Sequence, residues 1–441
     1  MTLVEALCAE NHDVAVIDTD RRALEEATSR FDIMGFVGNG ASVSTLEDAG
    51  IYDTDLFIAM TGNDELNILS CIVAHKKSGC HTIVRIHNPE YSGDVTDIGS
   101  DFGLSMVVNS ELMASVEVSR ILRFPTAQSI ETFSKGIIEI IRFKLPEDSP
   151  INNVRISELP FKEGGRVLIC AVERGDEVFI PRGDFKIKSQ DVISVVATKN
   201  TSTDIFSMFS PARKKVSKCM IIGGGGVSYY LAKILLSMKM HVTIMDKSIE
   251  RCHFLSDNLK GAVIINADAV NPAVLEEEGI KDTDAFLAMT NIDETNLLLS
   301  LFAKKNSEAK LITKVHRLTY DDIIKNLDLD SIICPKNIVA DNIIQYVRSM
   351  ENATGSNVET MYHILGNKVE ALEFVIRAGS PVIGKPLSEL KISHDVLVAA
   401  IRKGKNAIIP EGSSVVDEGD SVVVVTTRNK INDISEILEK H

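Results

Sequence analysis

The residues best suited to chemistry lie in KCMIIGGGGVSYYLAKILLSMKMHVTIMDKS, Lys218 to Ser248. An apolar strand-like run ends at Ile222, and four glycines follow, Gly223 to Gly226. A helix-like stretch opens with Gly226 and Val227, and a second apolar run closes on Asp246. The spacing GxGxxG falls on positions 223, 225 and 228, with serine in place of the last glycine. Gly223 suits a tight turn, and Gly225 lets backbone N–H groups approach a pyrophosphate. The helix N-terminus then points its partial positive charge at the anion. The third position requires a small side chain, and Ser228 is one. Asp246 stands 23 residues after Gly223, near the place where a carboxylate takes ribose hydroxyls. It would repel a 2′-phosphate and favour NAD over NADP, a preference that Lys247 softens. NAD, ADP and ATP share that ribose, so the acid does not separate them.

Further polar residues fall at the carboxyl ends of expected strands, the edge where open α/β sheets bind ligands. They are Asp268, with Ala269 beside it, Thr290 with Asn291, and Lys314. Thr290 also suits a helix cap. Asp293, Glu294 and Asn296 read as solvated first-turn residues. His316 and His87 read as structural hydrogen-bonding groups rather than catalytic ones.

These residues need a sheet to bring them together. Strands are expected at Lys218–Ile222, His241–Met245, Ala262–Ile265, Ala285–Met289 and Leu311–Lys314, with helices between them. Strands alternating with helices imply a doubly wound parallel sheet.

The unit occurs twice. GIYDTDLFIAMTGNDELNILS matches GIKDTDAFLAMTNIDETNLLLS, with Thr61 and Thr290, His87 and His316, and Tyr91 and Tyr320 all 229 residues apart. A second repeat pairs SPINNVRISEL with SPVIGKPLSEL, and VFIPRGDFKIKSQDVISVVAT with AIIPEGSSVVDEGDSVVVVTT. The order is A–B–A–B, a domain duplication rather than a solenoid. The expected bounds are 1–123, 124–208, 216–349 and 350–441, with SPARKKVSK (Ser210–Lys218) as linker. Each A unit closes on a helix, ELMASVEVSRIL or NIVADNIIQYV. The B units read as small βαβ-type modules.

Asp18 aligns with Asp246, so the first copy lacks the counterpart of Lys218 to Ser228, the strand and the whole glycine loop. Asp18, Asn39, Thr61 and Arg85 remain as its candidate site. Either the start is misassigned or this half binds nucleotide poorly. The first reading is favoured, because a parallel sheet without its central strand leaves backbone groups unpaired.

The totals exclude several classes. The net charge of −15 over 441 residues argues against nucleic-acid binding, which needs a basic face. No apolar run reaches the ~18 residues that span a bilayer. Residues 1–10 carry acids and no base, unlike a signal peptide. The seven cysteines are scattered without a CxxC and read as reduced core thiols. The ten histidines form no HExxH, so zinc hydrolysis has no support.

With these residues in hand, MIIGGGGVSYYLAKIL…VTIMD…NADA…LEEEGIKDTDAFLAMTNIDETNLLLSLFAKK resembles the RCK (KTN) domain of potassium transport regulators. SPVIGKPLSEL…IIPEGSSVVDEGDSVVVVTT resembles the RCK-C (TrkA-C) module. Two RCK-N plus RCK-C pairs resemble the layout of TrkA-type potassium uptake regulatory proteins over essentially the whole chain. The resemblance implies Rossmann-like RCK-N domains, each followed by a small α+β RCK-C module. It implies binding of NAD(H), or alternatively ATP/ADP, and no catalytic activity. It also implies a ring docked on a membrane ion-conducting Trk-type transporter subunit at the cytoplasmic face. Carried over by position, Gly223 and Gly225 match the phosphate loop and Asp246 the ribose acid. Asp268, Thr290 and Lys314 match nucleotide contacts. Family loops often read GGGRIG; here Gly226 stands at the arginine, removing one charged phosphate contact.

Two other functions fit parts of the pattern. An NAD-dependent dehydrogenase needs a substrate domain with a proton donor, which the small B units do not suggest. A redox-sensing DNA-binding repressor conflicts with the acidic charge. The closing helices, apolar on more than one face, suggest a homo-oligomer, with a tetramer supplying eight RCK units.

Overall fold

The computed structural model describes residues 1–88, 91, 95, 99–124, 127–147, 149–159, 168–175, 177–198, 216–316, 327, 329–353, 358–364, 368–404, 406–428, 431 and 433–438. Residues 210–215 of the expected linker, and Tyr320, lie outside them.

The chain begins with α1 (Thr2–Ala9), β1 (Ala15–Asp18), α2 (Arg21–Arg30), β2 (Met34–Val37) and α3 (Val43–Asp48). Next come β3 (Leu56–Ala59), α4 (Asp64–Ser78), β4 (His81–Arg85), β5 (Met106–Val108) and α5 (Ser110–Arg123). Strands β6 (Ala127–Phe133), β7 (Ile138–Lys144), β8 (Leu168–Arg174), β9 (Glu177–Phe179) and β10 (Val192–Thr198) follow. The second half repeats the order with β11 (Lys218–Ile222), α6 (Gly226–Ser237), β12 (His241–Asp246), α7 (Ile249–Asn258) and β13 (Val263–Asn266). It continues with α8 (Pro272–Glu277), β14 (Ala285–Ala288), α9 (Asp293–Asn306), β15 (Lys310–Lys314), β16 (Ser331–Ile333) and α10 (Pro335–Ala353). Strands β17 (Val358–Ile364), β18 (Val369–Val375), β19 (Val396–Lys403), β20 (Asn406–Ile408) and β21 (Ser421–Thr426) complete it.

Two compact units result, and each draws on both halves. The first comprises 1–123 with 215–344, and the second 124–214 with 345–441.

In the first unit the second half forms a six-stranded sheet in the order β13–β12–β11–β14–β15–β16, all parallel. Strand β11 is central, and burial on both faces explains its unbroken CMII run. The order reverses beside β11, at the point where open sheets bind ligands. Five strands lie where the sequence places them, within a residue at each end. The sixth, β16, is not legible in the sequence: three residues carry no readable alternation.

The first half has no counterpart of β11 among the described residues. Strands β1 and β2 pair in one sheet, and β3, β4 and β5 form another. Their counterparts β12 and β14 both pair with β11. The consequence shows in burial. All four residues of β14 are buried, whereas Leu56, Phe57 and Ile58 of β3 are only half-buried. None of the residues of helix α1 is buried.

The halves meet inside this unit through α5 and α6. Ala114, Val118 and Leu122 join a core with Val227, Leu231 and Leu235. Asn109 Nδ2 donates to the Tyr230 hydroxyl (3.2 Å) at the edge of that contact.

The second unit corrects the βαβ reading of the B modules. Both are five-stranded antiparallel sheets, in the orders β6–β7–β10–β8–β9 and β17–β18–β21–β19–β20. Short apolar runs such as VISVVAT and SVVVVT indicate strands covered on both faces but do not reveal their direction. Here one face of each sheet packs on the other: Ile138, Ile140 and Val196 meet Ala371, Val423 and Val425. Alternate residues, such as Ile141 and Phe143 or Leu372 and Phe374, face each module's own core. Glu373, 1% exposed, is satisfied across the duplication by the Ser134 N–H (3.0 Å) and hydroxyl (2.6 Å), and within its own module by the Ser421 hydroxyl.

Candidate functional site

The glycine run forms a turn between β11 and α6. Gly223 has φ +96°, and a Cβ there would lie 2.9 Å from the backbone of Met289 and Thr290. The turn therefore passes tightly under the end of β14. At Gly224 a Cβ would meet Leu255 at 2.6 Å. At Gly225, which caps α6, nothing lies within 4 Å of that position. An open surface above the first amides of a helix suits a phosphate group, so the residues present fit a nucleotide pyrophosphate.

Ser228 is a functional departure from glycine. It is fully buried, and its hydroxyl donates to the Gly223 carbonyl, tying the helix to the turn. Asp246 likewise has a structural role. Its Oδ2 accepts the Gly224 N–H (2.6 Å) and its Oδ1 the Ser248 N–H (2.8 Å), so it anchors the loop. The remaining lone pairs leave room for ribose hydroxyls. Lys247 is exposed beside it.

Arg251, on the first turn of α7, is a residue that sequence reasoning misses. Its Nε–H donates to the Gly224 carbonyl, placing a guanidinium at the loop although Gly226 carries none. Burial lowers its pKa, and Asp246 opposes the shift. Its position five residues after the ribose acid, where the helix returns toward the loop, is the available signal.

Along the sheet edge, Asp268 is exposed and accepts the Val270 N–H (3.0 Å), with buried Ala269 beside it. Thr290 is committed to structure. Its hydroxyl donates to Asn296 Oδ1 (2.7 Å) and accepts the Ile292 N–H (3.2 Å). Asn296 is not solvated, as its first-turn position suggests, but fully buried. It also donates to the Thr290 carbonyl (3.0 Å) and the Lys314 carbonyl (2.9 Å), bracing two strand ends. Asp293 is also more than a solvated acid: it accepts the His316 N–H (2.9 Å) and lies 2.8 Å from His316 Nδ1. The cation it acts on is Lys314, 5% exposed, whose Nζ donates to Asn291 Oδ1 (3.2 Å).

Burial pulls the Lys314 pKa below 10.5, while Asp293 and Glu111 hold it up. An unfolded lysine keeps the higher value, so between the two values the unfolded chain holds more protons. Nucleotide-free stability should therefore rise with pH in that window. If Lys314 attracts a bound nucleotide, affinity should fall over the same window as its ammonium discharges. Thermal melts paired with calorimetric titrations across alkaline pH test both signs. Lys314→Met should remove both slopes.

The first half repeats the bracing network without the cradle. Thr61 donates its N–H (2.8 Å) and hydroxyl (2.7 Å) to Asn67 Oδ1, and Asn67 Nδ2 donates to the Arg85 carbonyl (3.0 Å). Asp64 accepts the N–H groups of His87 (2.9 Å) and Asn88 (2.8 Å). Asp18 and Asn39 are exposed and cap local turns, at Asp20 (2.9 Å) and Ala41 (2.9 Å). Asp18 and Asn39 end β1 and follow β2, while Thr61 and Arg85 belong to the other sheet. They are not joined by the strand and loop that connect their counterparts.

No helix among the described residues is long and apolar enough to cross a membrane. The seven cysteines are all free, and six of them are buried. Burial drives the thiols of Cys71, Cys170 and Cys219 up to about 12, as core positions dictate.

Sheet order, glycine turn and ribose acid together define a Rossmann-like nucleotide-binding domain, here duplicated and accompanied by antiparallel modules. The TrkA-N domain matches residues 1–109 and 219–335, and the TrkA-C domain matches 140–210 and 371–439. The chain belongs to the TrkA family of Trk potassium uptake proteins. It is 32% identical to a Trk system potassium uptake protein TrkA homolog of Archaeoglobus fulgidus, covering 97% of this chain and 95% of that one. It is 27% identical to the Trk system potassium uptake protein TrkA of Halomonas elongata, covering 99% and 96%. In fold it is similar to the GsuK channel bound to NAD, with a TM-score of 0.62 and 15% identity, over 96% of this chain and 74% of that one.

Proposed function

We propose that the chain is a nucleotide-sensing regulatory subunit of a Trk-type potassium uptake system. Its second half binds NAD(H), or alternatively ATP/ADP, and the bound nucleotide gates a membrane ion-conducting subunit. The protein carries no reaction of its own; the nucleotide is a signal. The observation that carries this reading is the open cradle over Gly225 beside the anchored ribose acid Asp246. Family membership supports the choice of partner, and the NAD bound to the GsuK channel supports the choice of ligand.

In this reading Gly223, Gly225, Gly226 and Val227 face the phosphates, Asp246 and Lys247 the ribose, and Asp268, Ala269, Thr290, Asn291 and Lys314 the remaining rim. Four domains, 1–123, 124–208, 216–349 and 350–441, follow from the repeat. The chain assembles as a tetramer and sits on the cytoplasmic face of the membrane through its transporter partner. Reconstitution with a Trk-type membrane subunit tests the whole proposal. Potassium flux should change with at least one of NADH, NAD, ATP or ADP, and the complex should have the mass of a tetramer. Flux indifferent to all four nucleotides, despite assembly, would remove the sensing role.

A further inference from the structure

The apolar contact between the two antiparallel sheets is made of the same positions on both sides. Ile138, Ile140 and Val196 of the first module meet Val369, Ala371 and Val425 of the second. The repeat aligns these residues pair by pair, 231, 231 and 229 positions apart. A face that packs on its own equivalent also suits the same face of another copy. Apolar burial, which is non-directional, therefore does not decide which module meets which.

The polar contact differs between the sides. Ser134, in the turn after β6, takes a left-handed backbone conformation with φ +51°. Its N–H donates to Glu373 Oε2 (3.0 Å) and its hydroxyl to Oε1 (2.6 Å), while the Ser421 hydroxyl donates from within the second module. All three residues are buried. At the counterparts of Glu373, Ser134 and Ser421 the repeat carries Arg142, Leu365 and Val192. Neither module thus holds both sides of the contact. Alternation from Ile140, Ala171 and Ala400 puts Arg142, Glu173 and Arg402 on these faces as well. Arg142 lies 3.9 Å from Glu173, and Arg402 donates to the Gly404 carbonyl (3.1 Å), each within its own module. Those contacts persist whichever module lies opposite.

We propose that the Glu373–Ser134 contact determines pairing specificity: it seats the first module on the second module of the same chain and rejects pairs of identical modules from two chains. A pair of second modules would set each Glu373 against the other copy's Leu365. Leucine offers no hydroxyl, so a carboxylate would be buried short of donors. A pair of first modules would set Ser134 against Arg142, whose guanidinium has no acceptor for the Ser134 N–H. Only the mixed pair satisfies both groups. The duplication has kept a self-complementary apolar face and placed the discrimination in one buried polar contact.

The test follows pairing in the full chain by energy transfer. Glu158 and Glu389 are exposed and equivalent in the repeat. Glu158→Cys and Glu389→Cys together carry a donor and an acceptor dye, in a Cys8→Ser background because the other six cysteines are buried. The labelled chain is unfolded and refolded alone or with a large excess of the same chain unlabelled. With the pairing contact unaltered, transfer should be the same in both. Glu373→Leu removes the acceptor, and Leu365→Ser gives the second module both sides of the contact. In each, the excess should roughly halve transfer, since a module without selectivity meets either kind of partner. A cooperative thermal melt is required of each variant, and if Glu373→Leu does not fold, Leu365→Ser decides alone. Loss of transfer in either variant supports the proposal. Transfer that survives the excess in both variants overturns it, as does transfer lost with the contact unaltered.

Discussion

Gly223→Ala should lower both stability and nucleotide affinity, whereas Gly225→Ala should lower affinity alone. At Gly223 the new methyl would meet Met289 C, Thr290 N and Thr290 Cα, each at 2.9 Å. These are backbone atoms at a strand end, and they cannot rotate aside. The backbone also holds φ +96°, which an alanine adopts at a cost. Strain and overpacking together amount to about 2–4 kcal/mol. Relief requires β11 and β14 to separate where the loop begins, which would also loosen the Ser228 hydroxyl from the Gly223 carbonyl. At Gly225 φ is −64° and the methyl would enter open space. The folded chain tolerates it, but the space it enters is where a phosphate must approach the amides. Denaturant midpoints and calorimetric titrations separate the effects. Equal stability loss in both variants would show that the cradle is a packing feature, and undiminished affinity in Gly225→Ala would place the phosphate elsewhere.

This loop is legible in the sequence because its signals are local. A strand, a turn that needs glycine, a helix and an acid fall within about thirty residues, and their spacing follows from βαβ geometry. The duplication is legible for a similar reason: the paired motifs are long enough to align. What stays hidden depends on contacts between distant segments. Glu111 against Gly226, and Ser134 against Glu373, join residues more than a hundred positions apart. Nothing in either stretch marks the other. Asn296 reads as solvated because its place in a first turn is ordinarily exposed, yet it is the buried brace between two strand ends. Thr290 suits both ligand contact and cap by position; its hydroxyl instead bonds the Asn296 side chain and the Ile292 N–H ahead of the helix, and does not cap it. The antiparallel modules read as βαβ because burial on both faces erases the alternation that reports direction.

One tight nucleotide should bind per 441-residue chain, in the second half. The two halves offer a comparison within one molecule. Both keep the bracing network, with Asn67 and Asn296 in equivalent bonds. Both place an acid at a strand end, Asp18 and Asp246. Among the described residues only the second has a glycine turn leading into a helix N-terminus, and only there does the acid hold the turn, through Gly224. Asp246→Ala therefore removes the ribose acceptor and the loop anchor together, and should abolish measurable binding. Asp18 is exposed and accepts the Asp20 N–H at 2.9 Å. It could offer a ribose a few hydrogen bonds worth about 1 kcal/mol net each, which do not replace a phosphate cradle. Asp18→Ala should leave affinity and stoichiometry nearly unchanged. Asp246→Asn sharpens the comparison, since it keeps the side-chain shape and an oxygen for Gly224 but loses the charge. It should weaken binding less than alanine does. Titration calorimetry on the three variants decides the matter. Two equal sites per chain, or binding that survives Asp246→Ala and disappears with Asp18→Ala, would assign the working site to the other half.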